Sequence, residues 1–319
     1  MQNNPQTAVG PVPITIITGF LGSGKTTLIN FLLEEVGGKE KLAIIKNEIG
    51  DIAVDSKTIV GKNIVMKELL NGCVCCTLVG ELEDSLKELV ETVHPDRIIM
   101  ETSGAANPAI LAVNIDRLDF VKRDLIVTVI DAINFEGYKD KSVVVSLQQK
   151  FTDLIVLNRV GEVDEERIEK VLDDVYEIRP GIPVVKTSNG RVDPDILFGV
   201  LSEKQRLNVA DLAREGDLHN HHMNEDEIQY FSYKKAGYFD RKCFEKVLQN
   251  LSEEYYRVKG FALFDGKDDV WLVNFVCNRT DISLLKNAKI HEISIIFIGK
   301  RVGRYKENIC KKLDACLTI

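Results

Sequence analysis

The 319-residue chain has no run of 18 or more apolar residues, so no segment offers the length of a membrane-spanning helix. It has no excess of basic charge. Forty-one Lys and Arg face 49 Asp and Glu, and the net charge of −8 argues against a general binder of nucleic acid or anionic membrane. The opening residues, Met1 to Pro13, lack the basic stretch and apolar core of a secretory leader. Nor do the seven cysteines, an odd number with three clustered together, resemble a secreted disulfide framework. The expected compartment is therefore cytoplasmic. Internal repeats and low-complexity tracts are also missing. The composition is that of a globular protein, and the length suffices for one larger and one smaller domain.

The most informative feature present is Gly19-Phe20-Leu21-Gly22-Ser23-Gly24-Lys25-Thr26. It spells GxxxxGK(S/T), follows the apolar run Ile14 to Thr18, and precedes a helical pattern from Thr27 to Glu35. That is the strand–loop–helix context of a phosphate-binding P-loop. The glycines let the backbone wrap tightly, so that N–H groups and a helix N-terminus face a polyphosphate. Gly22, Ser23, Gly24, Lys25, Thr26 and Thr27 are the candidate nucleotide-binding residues, with Lys25 reaching the β/γ-phosphates and the Thr26 hydroxyl ligating Mg²⁺.

Next stands Cys73-Val74-Cys75-Cys76, introduced by the turn-forming pair Asn71-Gly72. Thiolates packed this closely are soft ligands that select Zn²⁺ or Cu(I) over hard ions. Cys73, Cys75 and Cys76 present two or three sulfurs to one ion, with a further ligand supplied from elsewhere. Buried cysteines or a redox pair are the alternative.

Short apolar runs alternate with helical patterns along the first two thirds of the chain. Strands are expected at Leu42–Lys46, Arg97–Glu101, Leu125–Asp131, Asp153–Leu157 and Pro183–Lys186, and helices at Glu81–Glu91, Asp164–Ile178 and Pro194–Leu201. Nearly continuous apolar strands are those covered on both faces. The alternation predicts an α/β fold, a P-loop NTPase domain with a mostly parallel sheet flanked by helices. Its ligands would gather at the carboxyl ends of the strands. The pattern ends near Leu201. Residues 208–227 are polar and read as a linker, and 228–319 as a small α+β domain with a mostly antiparallel sheet, leaving 1–207 as the nucleotide-binding domain.

Other motifs complete the site. The apolar strand Ile98–Glu101 ends in a carboxylate, followed by Thr102-Ser103-Gly104, so that Glu101 would support Mg²⁺ and Gly104 offer its N–H to the γ-phosphate. Glu48 and Asp51, in Asn47-Glu48-Ile49-Gly50-Asp51, occupy the expected switch segment, where they would contact Mg²⁺ or the attacking water, or form a plain acidic loop. Lys25, Glu101 and Glu48 are thus the candidate catalytic residues. A guanine-reading site carries Asn-Lys-x-Asp after a strand. Here Asn158-Arg159-Val160-Gly161 stands in its place. Asn158 matches, Arg159 offers a planar guanidinium to stack on a base, and the carboxylate is missing at 161. Glu162 and Asp164 are the nearest substitutes if the loop shifts.

With these motifs in order, the chain resembles the CobW-like family of P-loop GTPases, in its zinc-metallochaperone branch. The resemblance covers Gly19–Thr26, Asn47–Gly50, Gly72-Cys73-Val74-Cys75-Cys76, Glu101–Gly104 with Asn107-Pro108, Val129–Ala132, Gln148–Arg159, Arg179-Pro180 and Arg257–Phe261. It implies a CobW-type C-terminal domain and a GTP-dependent metal-trafficking protein. Cys73, Cys75 and Cys76 would hold Zn²⁺, or Co²⁺ as in some members, with GTP hydrolysis gating transfer to a metal-dependent client protein. The His-rich stretch of many relatives is reduced here to His219, His221 and His222, a weak metal-gathering site or a solvated linker. Cys243 and Cys277 read as ordinary buried small residues, and Cys310 and Cys316 as two faces of one helix.

Hydrolysis is expected to be slow, since no arginine finger or glutamine equivalent can be positioned; metal, a second copy of the chain or the client would complete the site. Two other readings share the P-loop. A small-molecule kinase needs an acceptor site and an arginine-rich lid, and the nucleotide domain has no Arg cluster. A scaffold or sensor would bind nucleotide with little turnover.

Overall fold

Strands that are apolar on both faces must be covered on both faces, and among the described residues helices separate four of the six successive strand pairs in the first part of the chain. The computed structural model describes residues 10–46, 64–68, 79–102, 108–136, 151–199, 228–285, 290 and 292–318. The chain divides into two compact units, Pro11–Phe198 and one built from Gly199–Ile319.

The first unit runs β1 (Val12–Gly19), α1 (Lys25–Val36), β2 (Leu42–Lys46), β3 (Ile64–Glu68), α2 (Val79–Val93), β4 (Arg97–Glu101) and α3 (Pro108–Ile115). It continues through β5 (Val121–Asp131), β6 (Leu154–Asn158), a 3₁₀ turn at Val160–Glu162, α4 (Glu165–Ile178), β7 (Val184–Thr187) and α5 (Pro194–Phe198). The seven strands form one parallel sheet in the order β3-β2-β4-β1-β5-β6-β7. An α/β sheet is therefore observed as the sequence predicts. Its centre is β1, where strand order reverses, and a crevice at such a point is where open α/β sheets bind ligands.

Packing follows from the side-chain periods. Leu82, Leu86 and Leu89 recur at helical spacing on α2 and bury against Ile14, Ile16, Ile98 and Met100 on one face of the sheet. On α4, Ile168, Val171 and Val175 do the same against Ile155, Leu157 and Val184. One buried polar cluster interrupts this apolar interior. Arg97, at the start of β4, donates to Asp124 at 2.8 Å, to Glu40 at 3.4 Å and to the Phe198 carbonyl at 3.2 Å, and its guanidinium lies 4.4 Å from the centre of the Phe198 ring. It ties the last turn of the unit to the amino end of the sheet.

The second unit contains β8 (Ile228–Lys235), β9 (Tyr238–Phe239), α6 (Arg241–Gln249), β10 (Tyr255–Leu263), β11 (Val270–Val276), β12 (Arg279–Leu285) and β13 (Ile293–Lys300). A 3₁₀ turn at Val302–Tyr305, α7 (Lys306–Asp314) and β14 (Leu317–Thr318) follow. Five strands form an antiparallel sheet in the order β12-β11-β10-β13-β8. Phe244 and Leu248 of α6, with Ile309 and Leu313 of α7, pack an aromatic core in which Phe231 stacks on Phe297 and Phe239 on Phe244, both at 4.8 Å.

The cysteines of this unit depart from the sequence reading. Cys316 lies beyond the end of α7 rather than on it, and it forms a disulfide with Cys243 of α6 across 73 residues. Cys243 is thus a cross-link, not an ordinary buried small residue. Cys277 and Cys310 form no disulfide and are half-buried, and burial pushes the Cys310 thiol above its usual range.

Candidate functional site

The end of β1 delivers the loop that dominates the site. After Gly19 the chain turns through Phe20–Gly24 and enters α1 at Lys25. Gly24 is the N-cap in a left-handed conformation, φ 101°, and a Cβ there would sit 2.2 Å from the Asn158 Nδ2 atom. Only glycine meets both conditions. No side chain caps this helix and no acidic residue occupies its first turn. Its first-turn N–H groups and positive dipole end therefore have no side-chain cap, the arrangement that suits an anion such as phosphate.

Lys25 is nearly buried and donates to the Gly19 carbonyl at 2.9 Å and the Phe20 carbonyl at 3.1 Å, so its ammonium lies inside the curl of the loop. Thr26 donates its hydroxyl to Glu101 Oε1 at 3.1 Å. Glu101 ends β4, in register with Ile17 of β1, which brings it to the same sheet edge from 75 residues away. Its second carboxylate oxygen, Oε2, is buried with no hydrogen-bond partner, as is Ser23 Oγ. A buried carboxylate oxygen without a donor is costly, and a hard divalent cation takes carboxylate and hydroxyl oxygens. Glu101 and Thr26 thus fit Mg²⁺.

On the other side of the loop, Asp131, Asn158 and Thr187 are register partners at the ends of β5, β6 and β7. The Asn158 amide donates to the Ser23 carbonyl at 3.0 Å, and its oxygen accepts from the Gly190 N–H at 2.9 Å. Arg159, in a left-handed conformation, donates to Asp131 Oδ2 at 3.1 Å. Asp131 also accepts from the Ile133 N–H and the Asn134 amide. Arg167 of α4 donates to the carbonyls of Ala132, Ile133 and Phe135, clamping the turn after β5.

The structure therefore brings Gly22, Ser23, Gly24, Lys25, Thr26 and Thr27 together with Glu101, Asn158 and Arg159 at the carboxyl edge of one sheet. Glu48, Asp51, Cys73, Cys75, Cys76, Gly104 and the His219, His221 and His222 group lie outside the described residues. Among the described residues no cluster of His, Cys, Asp and Glu is arranged to hold a metal ion. The sequence reading missed Asp131, Arg167 and Gly190 as members of this edge. Asp131 had a visible signal, a carboxylate closing an apolar strand, and Gly190 another, the Ser188-Asn189-Gly190 turn after β7. Arg167 had none.

A family model described as the CobW/HypB/UreG nucleotide-binding domain matches residues 13–186, more than half of the chain. The chain belongs to this family. Residues 228–317 match the cobalamin synthesis protein CobW C-terminal domain, and the antiparallel unit corresponds to that match. Among curated relatives, the zinc chaperone CobW of Sinorhizobium sp is 32% identical over 317 residues, spanning 85% of this chain and 87% of the relative. The zinc chaperone YjiA of Escherichia coli is 28% identical over 272 residues, spanning 81% and 84%. The zinc-regulated GTPase metalloprotein activator 1 of Schizosaccharomyces pombe is 35% identical over 195 residues, spanning 57% of this chain and 47% of the relative. No described helix is long and apolar enough to cross a membrane.

Proposed function

We propose that this protein is a GTP-hydrolysing metallochaperone that carries Zn²⁺ as cargo and couples nucleotide state to its transfer to a metal-dependent client. The observation that supports the nucleotide half is the uncapped N-terminus of α1, set beside Lys25 and the Thr26–Glu101 pair with an unpartnered Glu101 oxygen. In this reading α1 and the loop N–H groups hold the phosphates, and Lys25 leaves the Gly19 and Phe20 carbonyls for the β/γ-phosphates. Thr26 and Glu101 hold Mg²⁺, which would neutralise charge on the phosphates when bound. Glu48 and Gly104 serve the γ-phosphate side.

Support for the cargo half comes from Cys73, Cys75 and Cys76, whose thiolates suit Zn²⁺ and also Co²⁺, and from the zinc chaperones among the relatives. The cysteines fall in the sequence between the switch candidate Asn47–Asp51 and Glu101, so both ligands would bear on the same loops. Such coupling is reciprocal and typically amounts to about 1–3 kcal/mol.

The test is a Zn²⁺ titration of the reduced, metal-free protein against a chromophoric chelator, with and without Mg²⁺ and a non-hydrolysable GTP analogue. A tight 1:1 site whose affinity changes at least about fivefold with nucleotide is expected. Equal affinity in the two conditions would refute the coupling, and loss of no affinity in a variant lacking all three cysteines would refute the cargo site.

A further inference from the structure

The Cys243–Cys316 bond joins two cysteines of unequal access. Cys243 is half-buried in the first turn of α6, whereas Cys316 is 2% exposed and belongs to the aromatic core of the C-terminal unit. From solvent, Cys243 is the side of the bond open to attack. The unit does not rely on this bond for an interior. Small disulfide-dependent domains use cross-links in place of a core, but here α6 and α7 cover a five-stranded sheet over buried Phe231, Phe239, Phe244, Phe275 and Phe297. Among the described cysteines, Cys277 and Cys310 form no disulfide. The pair is also separate from the proposed Zn²⁺ ligands Cys73, Cys75 and Cys76.

The two cysteines are held together by contacts that do not involve sulfur. Asp240 donates its N–H to the Cys316 carbonyl at 2.8 Å, and its carboxylate accepts from the Cys243 N–H at 2.6 Å, so one residue ties the backbone of both. β14 pairs with β9, Leu317 opposite Phe239 and Thr318 opposite Tyr238, and the Thr318 hydroxyl donates to the Tyr238 carbonyl at 3.1 Å. Breaking the disulfide therefore leaves the thiols side by side, at the high effective concentration that lets a bond reform within one molecule.

We propose that Cys243 and Cys316 are a reversible redox pair, in which Cys243 exchanges with a low-molecular-weight thiol or its disulfide and Cys316 resolves the product. In the reducing direction a thiolate RS⁻ attacks Cys243 Sγ, the protein S–S bond breaks, and Cys316 leaves as a thiolate that takes up a proton. A second RS⁻ attacks the sulfur carried by R, releasing RSSR and the Cys243 thiolate, which is protonated in turn. Two RSH are thereby oxidised to RSSR, and the protein gains two electrons and two protons. Oxidation runs the same steps backwards with RSSR as the oxidant. Cys243 takes up one RS group, and Cys316 displaces it. In the dithiol state β14 is held by its hydrogen bonds and packing alone, so the exchange sets how firmly that strand is latched to the start of α6.

The experiment treats the full chain, reduced and freed of metal, with glutathione disulfide, followed by acid quenching, alkylation and peptide mapping by mass spectrometry. In the unaltered chain the Cys243–Cys316 cross-link is expected to form and Cys243 to retain no glutathione. In Cys316→Ala, which lacks the resolving thiol, glutathione should stay on Cys243. In Cys243→Ala, modification of Cys316 should be at least about tenfold slower than that, because exchange depends on access. Equal rates at the two cysteines, or no glutathione on Cys243 in Cys316→Ala, overturn the proposal. A second measurement requires no variant to fold: the oxidised chain is exposed to reduced glutathione under native conditions. Opening of the cross-link with glutathione caught on Cys243 is the expected result. A bond that opens only in denaturant is a fixed structural cross-link, and glutathione caught on Cys316 reverses the roles. Either outcome overturns the proposal.

Discussion

Asn158 donates to the Ser23 carbonyl at 3.0 Å across 135 residues of sequence, joining the end of β6 to the middle of the P-loop. Its oxygen simultaneously receives the Gly190 N–H. The P-loop is therefore held from outside, by the residue that ends β6. Asn158→Ala would leave the Ser23 carbonyl and Gly190 N–H without these buried partners, at about 2 kcal/mol or more. Thermal unfolding should show the destabilisation, and nucleotide affinity should fall with it. Unchanged affinity would mean that the loop keeps its form without the tie.

Lys25→Ala should reduce phosphate release at least about 100-fold, the scale of losing one stabilising donor at a developing charge. Zn²⁺ binding, followed by chelator competition, should change little because Lys25 belongs to α1 and not to the cysteine segment. Normal turnover in that variant would remove Lys25 from the phosphate site.

The Arg97 cluster gives a contrast between two ion pairs of the same unit. Arg97, Asp124 and Glu40 are all almost fully buried, so Arg97→Met takes the ion-pair partner from two interior carboxylates, at about 3–5 kcal/mol. Arg123 pairs with Asp116, whose side chain is 46% exposed, and Arg123→Met should cost less than about 1 kcal/mol. Denaturant unfolding of the two variants measures the difference. Equal losses would show that Arg97 is not held as the structure has it.

The Cys243–Cys316 disulfide closes a loop with a sequence separation of 73. In the chain-entropy account, which is one of two current pictures, a loop of that size is worth about 4 kcal/mol. Reduction, or the double variant Cys243→Ser with Cys316→Ser, should lower the unfolding temperature of the C-terminal unit and leave that of the nucleotide-binding unit in place. Indifference of both transitions to reductant would show that the bond contributes nothing in solution.

Two carboxylates of the C-terminal unit make its stability sensitive to acid. Hydrogen bonds from Lys235 and then Tyr233 hold the Asp314 carboxyl below its ordinary range. The Ser252 side chain, against an opposing effect of burial, lowers Glu254 with help from Tyr305 and Arg304. Both groups release their protons more readily folded than unfolded. Their contribution is complete above the ordinary carboxylate range and is lost as pH falls through the lowered folded values. A urea midpoint that drops between pH 5 and pH 3, with less of a drop in Asp314→Asn, is the expected outcome. A midpoint equally acid-sensitive in that variant would assign the effect elsewhere.

The buried parallel strands were legible because each reads as a short apolar run between turn residues. Arg97–Glu101 and Leu42–Lys46 match the observed β4 and β2. Elements with weaker patterns were not. β3 and β12 are edge strands of their sheets, so their side chains need not be apolar on both faces. The helix α3 is Pro-Ala-Ile-Leu-Ala-Val-Asn-Ile, apolar nearly all round, and such a segment carries no helical period to detect.

By itself the sequence determined the P-loop pattern, the strand-ending Glu101 and the cysteine cluster Cys73–Cys76, because each depends on residues adjacent in the chain. Only the tertiary structure decided what those residues meet. Thr26 finds Glu101, Ser23 finds Asn158, and Cys243 finds Cys316 because strand order and register bring distant segments together. The missing carboxylate at 161 was visible in the sequence. That Asp131 meets Arg159 and that Asp164 caps α4 was not, since a carboxylate's partners depend on the donors that folding places around it.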